Sequence, residues 1–240
     1  MGDEPLQFKK KFPALTVAVC EDRKTGIEIL QDNATAILLD DAFQHRKVKA
    51  SLNIVLTPFN NLYVYDCMLP SGDLREPKSG AKRADIIVVT KCPENLSEET
   101  ADAVKQRLEP TANQQVYFSK IGYAADIKNE AVQKPLSYLK ERPFHLVTGI
   151  ALPVPLISYL NGEGLQFTES RFPDHHNFTN SELEELKKHP LILTTEKDFM
   201  RLQSLSKAVE IYYLPIKTVI LNGEEEAFKN SVLKGMGSNF

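Results

Sequence analysis

Three features of this 240-residue chain predict an α/β fold with parallel sheets. Short apolar runs rich in Val and Ile recur along it, each too short for a helix. The runs are continuous rather than alternating, as strands buried on both faces require. Amphipathic helical stretches separate them, so the crossovers are of the βαβ kind. Residues 129–142 are polar and proline-bearing and read as a linker. The expected division is therefore residues 1–135 and residues 143–240, the latter a smaller α/β domain.

Taken in order, Asp3-Glu4-Pro5 opens a short amphipathic helix reaching Phe12, with Asp3 as its cap and Pro5 in its first turn. Residues 14–20 read as a buried strand and residues 23–31 as a helix. Thr35-Ala36-Ile37-Leu38-Leu39 is the next strand, and it ends abruptly in Asp40-Asp41-Ala42-Phe43-Gln44-His45. The basic run that follows, to Lys49, reads as a solvated turn. Residues 52–56 form another strand. Residues 59–82 are mostly loop, and a loop of that length in a compact domain is usually functional or disordered. Residues 84–91 are a clear buried strand, Ser97 caps a helix running to Leu108, and residues 116–119 are a short strand. In the second set, residues 144–148 are a strand, 153–160 a helix and 172–178 a loop. Asn180 caps a charged helix over 182–188. Residues 191–194 run as a strand into Thr195-Glu196-Lys197-Asp198, which reads as a turn with an ion pair. Residues 211–214 and 218–221 close the fold.

Composition narrows the function classes. The apolar fraction of 42% can fill a real core, and a net charge of −3 offers no basic field for nucleic acid. No apolar run approaches membrane-spanning length and no signal peptide opens the chain, which leaves peripheral membrane contact open. Three widely spaced cysteines, an odd count without metal-ligand spacing, read as reduced thiols of a cytoplasmic protein.

Four polar clusters fall at strand ends or in loops: Asp3-Glu4, Asp40-Asp41-Gln44-His45, Arg75-Glu76 and Asp174-His175-His176. Ligands of open α/β sheets collect beyond the carboxyl ends of strands. Adjacent carboxylates there suit Mg²⁺, which binds through one or two acids plus substrate phosphates. The same acids and histidines equally suit a hydrolytic metal site, and each cluster alone also reads as an ordinary polar turn.

The order and wording of the clusters is more specific. Gly-Asp-Glu-Pro, Asp-Asp-Ala-Phe-Gln-His, Leu-Pro-Ser-Gly-Asp-Leu-Arg-Glu-Pro, Phe-Pro-Asp-His-His and Thr-Glu-Lys-Asp together resemble the tetraacyldisaccharide 4'-kinases, the lipid A 4'-kinases, from Gly2 to about Leu221. The resemblance implies a three-layer P-loop-kinase-like sheet, incomplete at its amino terminus. It implies transfer of the γ-phosphate of ATP, with Mg²⁺, to the 4'-hydroxyl of an acylated disaccharide lipid at the cytoplasmic face of the inner membrane. It makes Asp3 the proton acceptor and His175 its dyad partner. Asp40, Asp41 and Glu76 fall toward the metal, and Glu4, Gln44, His45, Arg75 and Asp174 line the substrate or phosphate cleft. His176 occupies the more variable place. Ala42 stands where the family usually has Gly, which would strain a positive φ.

The family's G-x-x-x-x-G-K-[ST] loop is absent from this sequence. The chain thus reads as the carboxyl-terminal two-thirds of such an enzyme, inactive alone. The remaining expectation is a non-catalytic remnant that binds lipid or Mg²⁺. Removing a central strand exposes sheet edges, so weak stability of the amino-terminal part or strand-mediated dimerisation is expected.

Overall fold

The computed structural model describes residues 3–237; the side chains of Asp3, Glu4 and Ser204 lie outside the described residues. The elements in order are α1 (Asp3–Lys11), α2 (Arg23–Leu30), β1 (Ile54–Pro58), β2 (Ile86–Thr90), α3 (Glu98–Leu108), β3 (Gln115–Tyr123), β4 (Asp126–Lys128), β5 (Gln133–Pro135), β6 (Phe144–Thr148), α4 (Val154–Gly162), β7 (Phe167–Arg171), α5 (Asn180–Leu186), β8 (Leu191–Thr195), α6 (Glu196–Leu202), β9 (Glu210–Leu214), β10 (Ile216–Ile220) and α7 (Glu225–Gly235). Two compact units result, and both interleave along the chain. One comprises residues 1–18 and 123–217; the other comprises residues 19–122 and 218–240. Against an expected cut between 135 and 143, the chain passes between units at 18/19, 122/123 and 217/218.

The unit of residues 19–122 and 218–240 is built on a four-stranded sheet in the order β1-β2-β3-β10. β1, β2 and β3 pair parallel. β2 is buried on both faces because its side chains alternate between two cores. Ile87 and Val89 meet Ala101, Val104 and Leu108 of α3, whereas Ile86 and Val88 meet Tyr117 and the Phe228 and Val232 side chains of α7. Ser97 caps α3 as expected, its hydroxyl accepting from the Thr100 amide.

The other unit has six strands in the order β5-β4-β9-β8-β6-β7. β7, β6, β8 and β9 are parallel, and β4 and β5 extend the sheet antiparallel. Here too strand residues alternate: Leu146, Leu191 and Leu193 face one core, Val147, Ile192 and Ile211 the other. Residues 129–142 are no linker. They contain β5 and a 3₁₀ turn whose Leu136 and Leu139 are buried in that core. The cap of α5 is Thr179 rather than Asn180, in a reciprocal box with Glu182.

Two expected strands do not form. Residues 14–20 and 35–39 are irregular, and neither joins a sheet among the described residues. Their apolar side chains stay largely in solvent, with Leu38 84% exposed. Apolar content licenses a buried strand only where a neighbour satisfies its backbone N–H and C=O groups. β1 ends the four-stranded sheet, and its Leu56 is also exposed.

One buried polar group bears on acid stability. His145 on β6 is 5% exposed and bonded at both ring nitrogens, by Thr168 (2.6 Å) and Ser170 (2.9 Å) of β7. It stacks on His189 with centroids 3.7 Å apart. Burial, aided by His189, pushes its pKa down to about 4. The unfolded chain binds this proton at about pH 6.5, so stability from neutral His145 is complete above that value and is lost as pH falls toward 4. We expect about 3 kcal/mol of stability to disappear across this window, on top of the carboxylate titrations. Urea unfolding at pH 7.5 and pH 4.5 measures it, and the His145→Gln variant should show a markedly smaller drop.

Candidate functional site

The polar clusters named from sequence separate into two groups, one in each unit. Asp40, Asp41, Gln44, His45, Arg75 and Glu76 lie in the unit of residues 19–122 and 218–240. Asp3, Glu4, Asp174 and His175 lie in the other.

In the first group the acid pair follows the irregular run 35–39, and both carboxylates are exposed. Asp41 accepts from Arg75 at 3.1 Å. Its φ is 47°, so the left-handed residue of this motif is Asp41, one position before Ala42. Asp tolerates that conformation far better than a branched residue, and Ala42 is spared the strain expected of it. Glu76 is half-buried and does not stand free for a cation. Arg83 donates to both its oxygens, at 2.8 and 3.0 Å, and Arg46 to one at 3.2 Å. Arg83 and then Arg46 hold its carboxyl below the usual range. Arg83 also stacks 4.6 Å from the Phe43 ring centre, so Glu76 and Arg83 tie the Asp-Asp-Ala-Phe-Gln-His segment to the long loop. Gln44 and His45 are exposed at a turn closed by the His45 amide and the Ala42 carbonyl. Both line a depression of about 580 Å³ with Arg23, Lys24, Arg46 and Lys47. Among the described residues no group of three His, Cys, Asp or Glu side chains gathers that could hold a metal ion. Asp40 and Asp41 remain two adjacent hard-oxygen donors, a set that fits Mg²⁺ shared with phosphate oxygens.

The loop of residues 59–82 is ordered by Asp66. Its carboxylate accepts from the amides of Cys67 (2.7 Å) and Asp73 (3.2 Å), pinning the Ser71-Gly72-Asp73 bend.

The second group sits at a topological switch point. β6 and β8 are neighbours, yet the chain leaves β6 toward β7 and leaves β8 toward β9. The connections diverge and open a crevice beyond the two carboxyl ends. Asp198, fully buried, spans that crevice. Its Oδ2 accepts from the Gly149 amide (2.8 Å), just past β6, and from the Thr195 hydroxyl (2.7 Å), at the end of β8. A Cβ on Gly149 would stand 2.9 Å from Asp198 Oδ1.

Asp174 and His175 lie at this mouth, in the loop after β7. Lys197 Nζ contacts Asp174 Oδ1 and His175 Nε2, each at 3.0 Å, and Arg201 Nη2 lies 3.1 Å from His175 Nδ1. Lys197, first, holds the Asp174 carboxyl below its usual range. His175 has a φ of 58° and is largely exposed. His176 is differently employed. Its Nε2 sits 3.0 Å from Glu182 and its ring stacks on Phe172, 4.9 Å between centres. The Thr179 amide, with His176, pulls Glu182 down to about 2. The geometry therefore separates the adjacent histidines: His176 braces α5, and His175 faces the crevice cations. Asp3 and Glu4 open α1, which packs on α6 through a 2.8 Å bond from Lys11 to Glu196; their side chains lie outside the described residues.

Sequence reasoning does not single out Arg46, Arg83 or Arg201, and it gives Lys197 and Asp198 only a turn with an ion pair. Lys197 and Arg201 are four apart on one helix, hence on one face, which is the signal that could have paired them.

A family model described as tetraacyldisaccharide-1-P 4'-kinase matches residues 1–236. A tetraacyldisaccharide 4'-kinase of Flavobacterium johnsoniae is 42% identical over 245 residues, a match covering 100% of this chain and 71% of the relative. One from Bacteroides thetaiotaomicron is 38% identical over 260 residues, covering 97% of this chain and 68% of the relative. The crystal structure of LpxK from Aquifex aeolicus in complex with ATP superposes with a TM-score of 0.70 and 27% identity, covering 98% of this chain and 69% of that one. The expected P-loop-kinase-like α/β class agrees with that likeness and with the two parallel-rich sheets.

Gly149→Ala should destabilise the switch point, because its methyl group displaces Asp198 from two hydrogen bonds. We expect a loss of about 1–3 kcal/mol, read as a lower thermal midpoint.

Proposed function

The chain belongs to the tetraacyldisaccharide-1-P 4'-kinase family, and on that premise we propose that it forms the metal-side and acceptor-side part of a lipid A 4'-kinase. The observation that carries this reading is the match over residues 1–236, which takes in every polar cluster described above. The acceptor is the 4'-hydroxyl of a tetraacylated glucosamine disaccharide and the donor is ATP.

Asp3 takes the proton of the attacking hydroxyl, and His175 holds Asp3 ionised and aimed. Glu4 and Asp174 belong to the substrate or phosphate cleft. Asp40 and Asp41 would hold Mg²⁺ through their carboxylates, where it would supply neutralisation of phosphoryl charge. Gln44, His45 and Arg75 orient phosphate or sugar oxygens. Glu76 acts through Arg83 and Arg46, keeping the segment that bears the acids in register with the loop that bears Arg75.

The sequence contains no G-x-x-x-x-G-K-[ST] loop, and the chain spans about 70% of the relatives it matches. That loop's backbone amides and lysine cradle the ATP phosphates in P-loop kinases, so this chain by itself is expected to be inactive. The lipid acceptor brings the complete enzyme to the cytoplasmic face of the inner membrane as a peripheral protein. Among the described residues no helix is long and apolar enough to cross a membrane.

The reading is tested by phosphoryl transfer to the acylated disaccharide in a longer enzyme that joins this chain to a phosphate-cradling segment. Asp3→Ala and His175→Ala should each lower kcat by roughly 10²–10⁴-fold with the acceptor KM little changed. Rates near wild type in both variants would remove the dyad.

A further inference from the structure

His175 is over-supplied with donors. Arg201 Nη2 approaches one ring nitrogen at 3.1 Å and Lys197 Nζ the other at 3.0 Å. A neutral imidazole has one acceptor nitrogen and one N–H, and an imidazolium has no acceptor at all. The two contacts therefore cannot both be hydrogen bonds from cations to one ring.

The chemistry of the two cations decides between them. A guanidinium is always protonated and presents donors only, so the nitrogen facing it must be the acceptor. Arg201 is fixed: its side chain is 10% exposed, and its Nη1 lies 3.8 Å from the fully buried Asp198. Asp198 in turn is locked by Gly149 and Thr195 at the ends of two adjacent strands. Lys197 is a compact ammonium on a flexible stem, already paired with Asp174 at 3.0 Å, and it can turn away from the ring while keeping that partner.

We propose that Arg201, anchored by buried Asp198, is a positioning residue that sets the tautomer of His175. Nδ1 accepts from Arg201, and the proton resides on Nε2. The Nε2–H then faces outward, past Lys197, as a donor to a carboxylate or a phosphoryl oxygen. The role of this donor in phosphoryl transfer rests on the kinase reading above; the tautomer itself does not.

The test is ¹⁵N–¹H correlation of the histidine rings in the 240-residue chain at pH 8, where an ordinary imidazole is neutral. His175 should show the pattern of the Nε2–H tautomer in the wild-type chain. Arg201→Gln should lose that preference and give a mixed pattern, and Lys197→Gln should keep it. Unchanged His145 and His189 signals show that the sheet is intact in each variant. An Nδ1–H pattern in the wild-type chain overturns the proposal, as does loss of the preference in Lys197→Gln or its survival in a folded Arg201→Gln. Should Arg201→Gln not fold, an Nε2–H fraction in the wild-type chain no higher than that of a free imidazole overturns the proposal. Kinetic failure of the His175→Ala test would remove the dyad and leave this result standing, so the two claims fail separately.

Discussion

A parallel strand forms only where a neighbouring strand satisfies its backbone N–H and C=O groups. That constraint governs the unit of residues 19–122 and 218–240. β2 and β3 are paired on both sides, and β2 is buried; β1 lies at the sheet's end with Leu56 in solvent. The run 35–39, which carries Asp40 and Asp41 at its end, has no ladder at all among the described residues. Among the described residues the segment of the acid pair is instead tied by Arg75 on Asp41, by the Arg83–Glu76 pair at Phe43 and by its own turn from the His45 amide to the Ala42 carbonyl. The exposed Arg75–Asp41 pair contributes little, about 0–1 kcal/mol.

The unit of residues 1–18 and 123–217 is organised in the opposite way. Its candidate site side chains sit on the loop after β7 and on α6, which directly follows β8, and a buried carboxylate bridges the ends of β6 and β8. Leaving that carboxylate without partners would cost several kcal/mol, which is why Gly149, Thr195 and Arg201 converge on it. His175 gains its orientation from this frame rather than from its own exposed loop.

How much of this was legible in sequence depended on whether the deciding interaction was local. The runs that became β2, β6 and β8 are continuously apolar and were read correctly, because burial on both faces leaves its mark in composition. Residues 14–20 and 35–39 carry the same mark and were misread, since strand formation depends on a partner that the run itself does not encode. The turn Thr195-Glu196-Lys197-Asp198 was read as an ion pair. Asp198 instead reaches back to Gly149, 49 residues earlier, and no local pattern announces such a contact. The linker at 129–142 was misread for a related reason: its polarity reflects the exposed edge strand β5, while only Leu136 and Leu139 reveal that it packs. The motif order was the strongest sequence signal for function, and the family match over residues 1–236 bears it out.

The proposed kinase role gives this sequence acids, an arginine and a histidine but no G-x-x-x-x-G-K-[ST] loop. Titration calorimetry of the 240-residue chain with Mg-ATP tests this most directly. No measurable heat of binding is expected at millimolar nucleotide. A clear isotherm with one site per chain would contradict it, because a nucleotide site would then exist without the glycine-rich loop.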